Sequence, residues 1–129
     1  MKKILVAGKV EGTILKSKDP INFLGTVDKK TGMIRDEKYN IFNKSIKDSI
    51  LVFPHGIGSI VGAYTIYSIK SKNSAPIAMI CKKADLTVAT GCALADIPLV
   101  TVTDEEFSKF ENGQKISLDT ESENPISVH

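Results

Sequence analysis

The chain has 129 residues, of which 42% are apolar and 25% charged, and its formal net charge is +2 at pH 7. This length fits one domain, and the apolar share excludes wholesale disorder because it is enough to fill a core. The balance of 17 basic and 15 acidic residues excludes the concentrated basic excess that is typical of a nucleic-acid-binding protein.

Cysteine and histidine are scarce, which limits the metal chemistry that this chain can carry alone. Cys81 and Cys92 lie in apolar stretches at a spacing that is not that of a metal site, so we interpret both as buried, inert thiols. His55 and His129 are the only histidines, and we expect no metal bound by this chain. No run approaches the ~20 apolar residues of a membrane span, and no signal peptide is recognisable, so we expect a cytoplasmic protein without membrane contact.

The first half of the chain is predicted to contain three short strands and one long loop. Apolar runs predict strands over 3–7 and 12–17, which we expect to pair with each other. Residues 17–43 are rich in turn-forming residues and lack a periodic pattern, so we expect an ordered, winding segment that its apolar side chains hold to the core. The run 50–53, closed by Pro54, predicts a strand buried on both faces.

A strand–helix–strand unit is predicted in the middle of the chain. Ile60, Tyr64 and Tyr67 fall at i, i+4 and i+7, which indicates a helix over 60–69. A second buried strand is predicted over 77–81. Because such units align their strands in the same direction, we expect some parallel pairing in the sheet.

The next segment combines one ambiguous stretch with one well-marked helix start. Residues 84–95 fit either a helix or a strand with a turn, and 97–102 predict a strand. Thr103 and Glu106 form a capping box, which begins a helix. We expect this helix to end near Asn112–Gly113.

The C-terminal residues are predicted to add little regular structure. Residues 115–118 are compatible with a last strand, and we expect 119–129 to be a frayed polar tail. The chain shows no internal repeat, low-complexity block or linker. We therefore expect residues 1–129 to form one α/β domain with a mixed sheet.

The glycine-containing segment after the strand at 50–53 is the best candidate for a functional site. Gly56 and Gly58 let the backbone turn sharply and come close to a ligand. Ser59 falls at the expected start of the next helix, where the helix dipole and unpaired N–H groups favour an anion or a negatively charged serine oxygen. The segment matches neither a phosphate-binding loop nor a nucleophile elbow. On local grounds alone, a plain N-cap role for Ser59 is favoured.

The other candidate side chains have simpler interpretations than catalysis. His55 is interpreted as a loop histidine in preference to a general base, Asp28 and Asp36 as turn residues, and Glu105 and Glu106 as solvated residues of the capped helix. One serine without a base or a metal set does not make a self-sufficient enzyme. Either another chain completes the site, or this chain is a binding domain.

Four stretches of the sequence together carry a family resemblance. They are FLGTVD with TGMIRD, LVFPHGIGS, APIA, and ATGCA running into Ile-Pro, at residues 23–28 with 31–36, 51–59, 75–78, and 89–93 with 97–98. Their order and spacing resemble the small subunit of the aconitase X group over most of residues 4–102. The resemblance implies the swivelling β/β/α fold of the aconitase C-terminal domain, a mixed sheet with few helices.

The same resemblance implies a partner and an activity. Small subunits of this group pair, as a heterodimer, with a large subunit that carries the iron–sulfur cluster, expected to be a [4Fe-4S] cluster. In archaea the pair is a hydro-lyase of the mevalonate pathway, which dehydrates (R)-5-phosphomevalonate to trans-anhydromevalonate 5-phosphate for isoprenoid biosynthesis. The family's proton acceptor is the serine of its Gly-x-Gly-Ser motif, which maps onto Ser59, with Gly56 and Gly58 as expected substrate-binding residues.

Two positions depart from many relatives, and they leave alternatives open. Asn22 stands before Phe23 where a serine is common, and Tyr39 stands where a histidine is common. We include Asn22 among the expected substrate-binding residues. The alternatives are a related hydroxy-acid or hydroxyproline dehydratase, a small-anion-binding or regulatory module without catalysis, and a structural subunit without site residues.

Overall fold

The structure, a computed structural model, describes all of residues 1–129. It contains seven strands and four helices, so the predicted α/β class is confirmed. The strands are β1 (Lys3–Val6), β2 (Lys9–Lys16), β3 (Ile50–Phe53), β4 (Ala78–Cys81), β5 (Leu99–Thr101), β6 (Lys115–Asp119) and β7 (Ile126–Val128). The helices are α1 (Phe23–Thr26), α2 (Val61–Ser71), α3 (Leu86–Ala95) and α4 (Asp104–Lys109). None of these helices is both long and apolar enough to cross a membrane.

All seven strands form one mixed sheet in the order β1-β5-β4-β3-β2-β6-β7. β2, β3, β4 and β5 are parallel neighbours, whereas β1, β6 and β7 join antiparallel at the two ends. The connections β3–α2–β4 and β4–α3–β5 are strand–helix–strand units with parallel strands, which confirms the predicted parallel pairing.

The predicted pairing of the first two strands is wrong, because each finds its partners elsewhere. β1 pairs with β5, and β2 pairs with β3 and β6. Only Ala7 and Gly8 separate the two strands, and three Cα steps reach about 11 Å. Four strand spacings in a flat sheet would need about 19 Å. The sheet must therefore curl until its β1 edge approaches β2.

Two apolar clusters fill the two faces of the sheet. Along β3, Leu51 and Phe53 face the cluster under α1, α2 and α3, whereas Ile50 and Val52 face the cluster under α4 and β6. All four β3 residues are buried, as predicted for a strand covered on both faces. The long winding segment is also held to the core as predicted, by the buried side chains of Ile21, Phe23, Val27, Ile34 and Ile41, and it contains the short helix α1.

The helix predicted over 60–69 exists as α2, and its buried face is not the one that carries the three residues of the helical pattern. Ile60, Tyr64 and Tyr67, the residues that indicated the helix, are exposed. The buried face carries small and branched side chains, namely Gly62, Ala63, Thr65, Ile66 and Ile69. Small residues lie on the buried face because α3 packs directly against it. A Cβ on Gly62 would lie 2.8 Å from Thr87 Cγ2.

Several predicted boundaries in the last third also change. The ambiguous stretch 84–95 is helical, as α3. α4 ends at Lys109 and not near Asn112–Gly113, because Phe110 leaves the helix in an extended conformation and is buried beside Phe107.

The tail expected to be frayed over 119–129 contains a strand. Residues 126–128 form β7, which pairs antiparallel with β6 in the register Ile116 to Val128 and Leu118 to Ile126. The side chain of Ile126 packs against the core cluster under α4. This packing explains how a polar stretch ends in an ordered strand.

Candidate functional site

The candidate site lies at the edge of the sheet where three neighbouring parallel strands end. β2, β3 and β4 run side by side in the same direction, so their carboxyl ends meet at one edge. The segments that follow these strands carry Asn22, the loop at 54–60 and Asp85. Strand order alone therefore brings these distant parts of the sequence together.

Ser59 lies exposed on this edge with its hydroxyl free. Its carbonyl accepts hydrogen bonds from the Gly62 N–H and the Thr87 hydroxyl, whereas its own hydroxyl has no partner within the chain. The N-cap residue of α2 is Ile60, and no side chain caps this helix. The N-cap role that local pattern favoured for Ser59 is therefore not observed.

The backbone on both sides of Ser59 carries a row of free donors. The four successive N–H groups of residues 58–61 donate to no acceptor within the chain. They lead into the first turn of α2, an 11-residue helix, whose dipole places partial positive charge there. Together, the uncapped helix end and the free donors favour negative charge at this point, either on a bound anion or on the Ser59 oxygen.

Asn22 lies directly beside this loop. Ile21 and Gly56 form a parallel bridge, in which Ile21 donates to His55 O at 3.1 Å and Ile57 donates to Ile21 O at 3.0 Å. A Cβ on Gly58, where φ is +104°, would lie 3.2 Å from Asn22 Oδ1. Three of the predicted site residues, Asn22, Gly58 and Ser59, are thus neighbours in the structure.

The two residues expected to depart from many relatives, Asn22 and Tyr39, both make hydrogen bonds within the chain. Asn22 is the N-cap of α1 and accepts from Gly25 N–H at 3.4 Å, which is a role that serine also fills well. Its amide nitrogen has no acceptor within the chain. The Tyr39 hydroxyl donates to Pro20 O at 2.7 Å, so this tyrosine holds the segment that delivers Asn22 to the loop.

Gly56 serves packing in this structure. It is buried, and its N–H donates to Asp85 Oδ1 at 2.9 Å. Its N–H is therefore not free for a ligand, unlike those of residues 58–61. Asp85 and Thr87 are the residues near the site that the sequence analysis missed. They could have been found from the strand order. β4 is the parallel neighbour of β3, and Asp85 lies between β4 and α3, at the same edge as the loop that follows β3.

The turn aspartates fulfil the interpretation given to them, and the loop histidine is held by a neighbouring carbonyl. His55 is half-buried and its Nδ1 donates to Gly56 O at 2.8 Å, since a carbonyl can only accept. Asp28 accepts from the N–H groups of Lys30 and Thr31, and the first of these bonds is the main cause of the lowered pKa of Asp28. Asp36 accepts in the same manner from the residue two positions ahead.

The two glutamates of α4 differ from each other. Glu105 is exposed as predicted and pairs with Lys109. Glu106 is not merely solvated: it closes the capping box with Thr103 and accepts from the amino group of Met1 at 2.6 Å. This hydrogen bond from the amino terminus is the main reason that the pKa of Glu106 is lowered.

Both thiols are buried in the core, as predicted. Burial, with a smaller contribution from Asp85, raises the pKa of Cys81 to about 12, and burial also raises the pKa of Cys92. Cys92 Sγ lies 3.5 Å from Met79 Sδ. No group of three or more histidine, cysteine, aspartate or glutamate side chains is placed to hold a metal ion.

Comparison with known families and proteins was made on the whole chain. Residues 1–128 match the family model described as the aconitase X swivel domain. The chain is 44% identical over 121 residues to the phosphomevalonate dehydratase small subunit of Methanococcoides burtonii, covering 93% of this chain and 88% of that protein. It is 45% identical over 118 residues to the protein of the same name from Thermococcus kodakarensis, with 92% and 87% covered.

Solved structures show the same fold. The holo-form of aconitase X from Thermococcus kodakaraensis superposes with a TM-score of 0.92 at 41% identity, covering 99% of this chain and 95% of that one. A solution NMR structure of a UPF0107 protein superposes with a TM-score of 0.88 at 36% identity, covering 99% and 96%. These similarities confirm the predicted swivel fold.

Proposed function

This chain belongs to the aconitase X swivel-domain family, and on that premise we propose that it is the small subunit of a phosphomevalonate dehydratase, a hydro-lyase. The names of its relatives support this assignment. The observation that carries it is Ser59, an exposed residue whose hydroxyl has no partner and whose backbone segment, residues 58–61, carries four free N–H groups. A proton acceptor has to be accessible, which Ser59 is, and it has to be favoured as an anion, which its place just before the N-terminus of α2 supports.

Ser59 Oγ acts as the base of the dehydration. In its anionic form it takes a proton from the carbon next to the one that bears the hydroxyl group. The electron pair of the broken C–H bond forms the new double bond, and the C–O bond breaks so that the hydroxyl departs with its bonding pair as hydroxide. The hydroxide takes a proton from solvent and becomes water, and Ser59 releases the proton that it accepted to solvent, which restores its anionic form. Before the step, the partial positive charge at the N-terminus of α2, which begins two residues after Ser59, favours the negative serine oxygen.

The iron–sulfur cluster of the family has no place in this chain. A cluster needs three or four thiolate ligands, and this chain has only two cysteines, both buried in the core with raised pKa values. The donor set therefore does not fit, and the group that assists departure of the hydroxyl has to come from the partner large subunit. We assign that subunit the [4Fe-4S] cluster and a heterodimeric association with this chain.

We assign substrate binding to the loop that carries Ser59 and to Asn22 beside it. Gly58 and Asn22 offer a free N–H and a free amide nitrogen beside Ser59, and we assign them to substrate binding. Gly56 contributes to the substrate-binding loop by its lack of a side chain, since it lies against Asp85 and Val88. Because a phosphorylated hydroxy acid does not cross a bilayer unaided, we place the complex in the cytoplasm with its substrate.

Reconstitution tests this function. The chain alone is expected to be inactive, and anaerobic mixing with its large subunit is expected to give water elimination from (R)-5-phosphomevalonate, followed by NMR of the product. Hydroxyproline isomers serve as the competing substrates. Activity of the isolated chain, or turnover of hydroxyproline without turnover of phosphomevalonate, would contradict the proposal. Tight binding of inorganic phosphate by the isolated chain in calorimetry, with an inactive complex, would favour an anion-binding module.

A further inference from the structure

Asp85 departs from the usual behaviour of an aspartate at its position. It is the N-cap residue of α3, with φ −72° and ψ 169°, and an aspartate there normally accepts an N–H of its own first turn. Its side chain makes no such bond. It accepts instead from the Gly56 N–H at 2.9 Å, across 29 residues of sequence. The carboxylate therefore holds the site loop and leaves its own helix uncapped.

The contact between Asp85 and Gly56 requires a glycine. A Cβ on Gly56 would lie 2.8 Å from Asp85 Oδ1 and 2.6 Å from Val88 Cγ2, both closer than real Cβ contacts allow. Any other residue would push the loop away from α3. The hydrogen bond from Gly56 to Asp85 thus depends on two features: residue 56 has no side chain, and Asp85 does not cap its own helix.

A second residue of the same helix turn holds the other end of the loop. The buried Thr87 donates its hydroxyl to Ser59 O at 3.1 Å. Asp85 and Thr87 therefore fix residues 56 and 59, while the N–H groups of residues 58–61 and the Ser59 hydroxyl stay free. The first turn of α3 acts as a clamp on the backbone that presents the serine.

The geometry points to Asp85 as a positioning residue for Ser59, which it fixes through the Gly56 N–H without touching the substrate. This inference rests on the proposed function of Ser59. Because the role needs an acceptor oxygen and not a charge, the amide oxygen of asparagine replaces it. Misplacing a reacting group by about an ångström can cost roughly a hundredfold in rate, so the loss of this anchor affects kcat more than KM.

The test compares three variants in the complex reconstituted with the large subunit. Asp85→Ala is expected to lower kcat for phosphomevalonate by roughly tenfold to a hundredfold, with KM changed by less than about threefold. Asp85→Asn is expected to keep kcat within about threefold of the wild type. Thr103→Ala, which removes an N-cap side chain far along the chain on α4, is the matched control and leaves kcat unchanged.

A second readout does not depend on catalysis. In the isolated chain, the amide hydrogen of Gly56 is expected to exchange at least about tenfold faster in Asp85→Ala, and to stay protected in Asp85→Asn. If the wild-type complex fails to act on phosphomevalonate, the proposed function fails and the exchange rates still decide whether Asp85 holds the loop. Unchanged Gly56 exchange and unchanged kcat in Asp85→Ala, or an equal loss of kcat in both Asp85 variants, would overturn the inference.

Discussion

At the scale of single residues, Ser59 differs from most serines of the chain by what it does not do. The hydroxyls of Ser17, Ser49 and Ser74 donate to backbone carbonyls and so stabilise turns. The Ser59 hydroxyl makes no such bond, although its backbone carbonyl is held by Gly62 and Thr87. The backbone is thus fixed while the oxygen stays available, which suits a base that has to meet an incoming C–H group.

The two thiols give a residue-scale prediction. Both are buried, and burial raises the pKa of Cys81 to about 12 and also raises that of Cys92. The reactive thiolate is therefore scarce at neutral pH, and the sulfur atoms are out of reach. Neither thiol of the folded chain is expected to react with a disulfide reagent within minutes at pH 7, and both are expected to react in denaturant. Rapid labelling of the folded chain would contradict this account.

Residue roles were predictable only where the signal was local or carried by the family motif. The segment ending in Ser59 is recognisable because its nine consecutive residues combine a strand end with two glycines, just before a helix begins. Asp85 could not be found this way. Its partner is Gly56, and the local pattern indicates an ordinary N-cap. The bond from Gly56 to Asp85, which leaves α3 without a side-chain cap, can be recognised only once β3 and β4 are known to be neighbours.

At the scale of elements, the sequence of α2 predicts a helix but not which of its faces is buried. Residues 56–69 contain no charged side chain, so apolar residues fall on every face and the periodicity has no unique phase. Small residues on α2 and on α3 then decide which face is buried: a Cβ on Gly91 of α3 would lie 2.7 Å from Ile66 Cδ1. The buried face of α2 could not be predicted from its own sequence, because it depends on which face of α3 packs against it.

α4 gives the element-scale prediction. Glu106 contributes to the capping box and also holds the amino group of Met1. Glu106→Ala removes both interactions and is expected to lower the free energy of unfolding by about 1–2 kcal/mol, the upper part of the range for a lost cap. Glu106→Gln keeps the bond to the Thr103 N–H and is expected to lose less than about 1 kcal/mol, the scale of a partly exposed ion pair. Denaturant titration at pH 7 measures both.

The pH dependence of these variants separates charge from hydrogen bonding. The hydrogen bond from the amino terminus, and then that from Thr103, keep the pKa of Glu106 below its ordinary value of 4.5. A carboxyl with a lowered folded pKa stabilises the fold above the unfolded pKa, and this stability is lost as the pH falls through the folded value. The wild type is therefore expected to lose more stability than Glu106→Gln between pH 5 and pH 3. Equal losses would contradict this role of the carboxylate.

At the scale of the whole molecule, the curled sheet explains why the site is where it is. Parallel pairing of β2, β3 and β4 places Asn22, Ser59 and Asp85 on one edge. The parallel unit was predictable from its strand–helix–strand order. The position of β1 was not predictable. Its partner β5 lies about 95 residues later in the chain, whereas strands that follow each other in sequence usually pair, which favours β2 as the partner.

The central claim is that Ser59 is the proton acceptor of a two-subunit dehydratase, and the turnover of the reconstituted complex with Ser59→Ala tests it most directly. The variant loses one exposed oxygen that caps no helix, so the melting temperature and the association with the large subunit are expected to stay unchanged. Ser71→Ala, on the same helix α2, is the matched control with normal turnover. We expect kcat for phosphomevalonate to fall by roughly a hundredfold or more, the scale of a lost general base, and a variant that retains more than about a tenth of wild-type turnover would contradict the account.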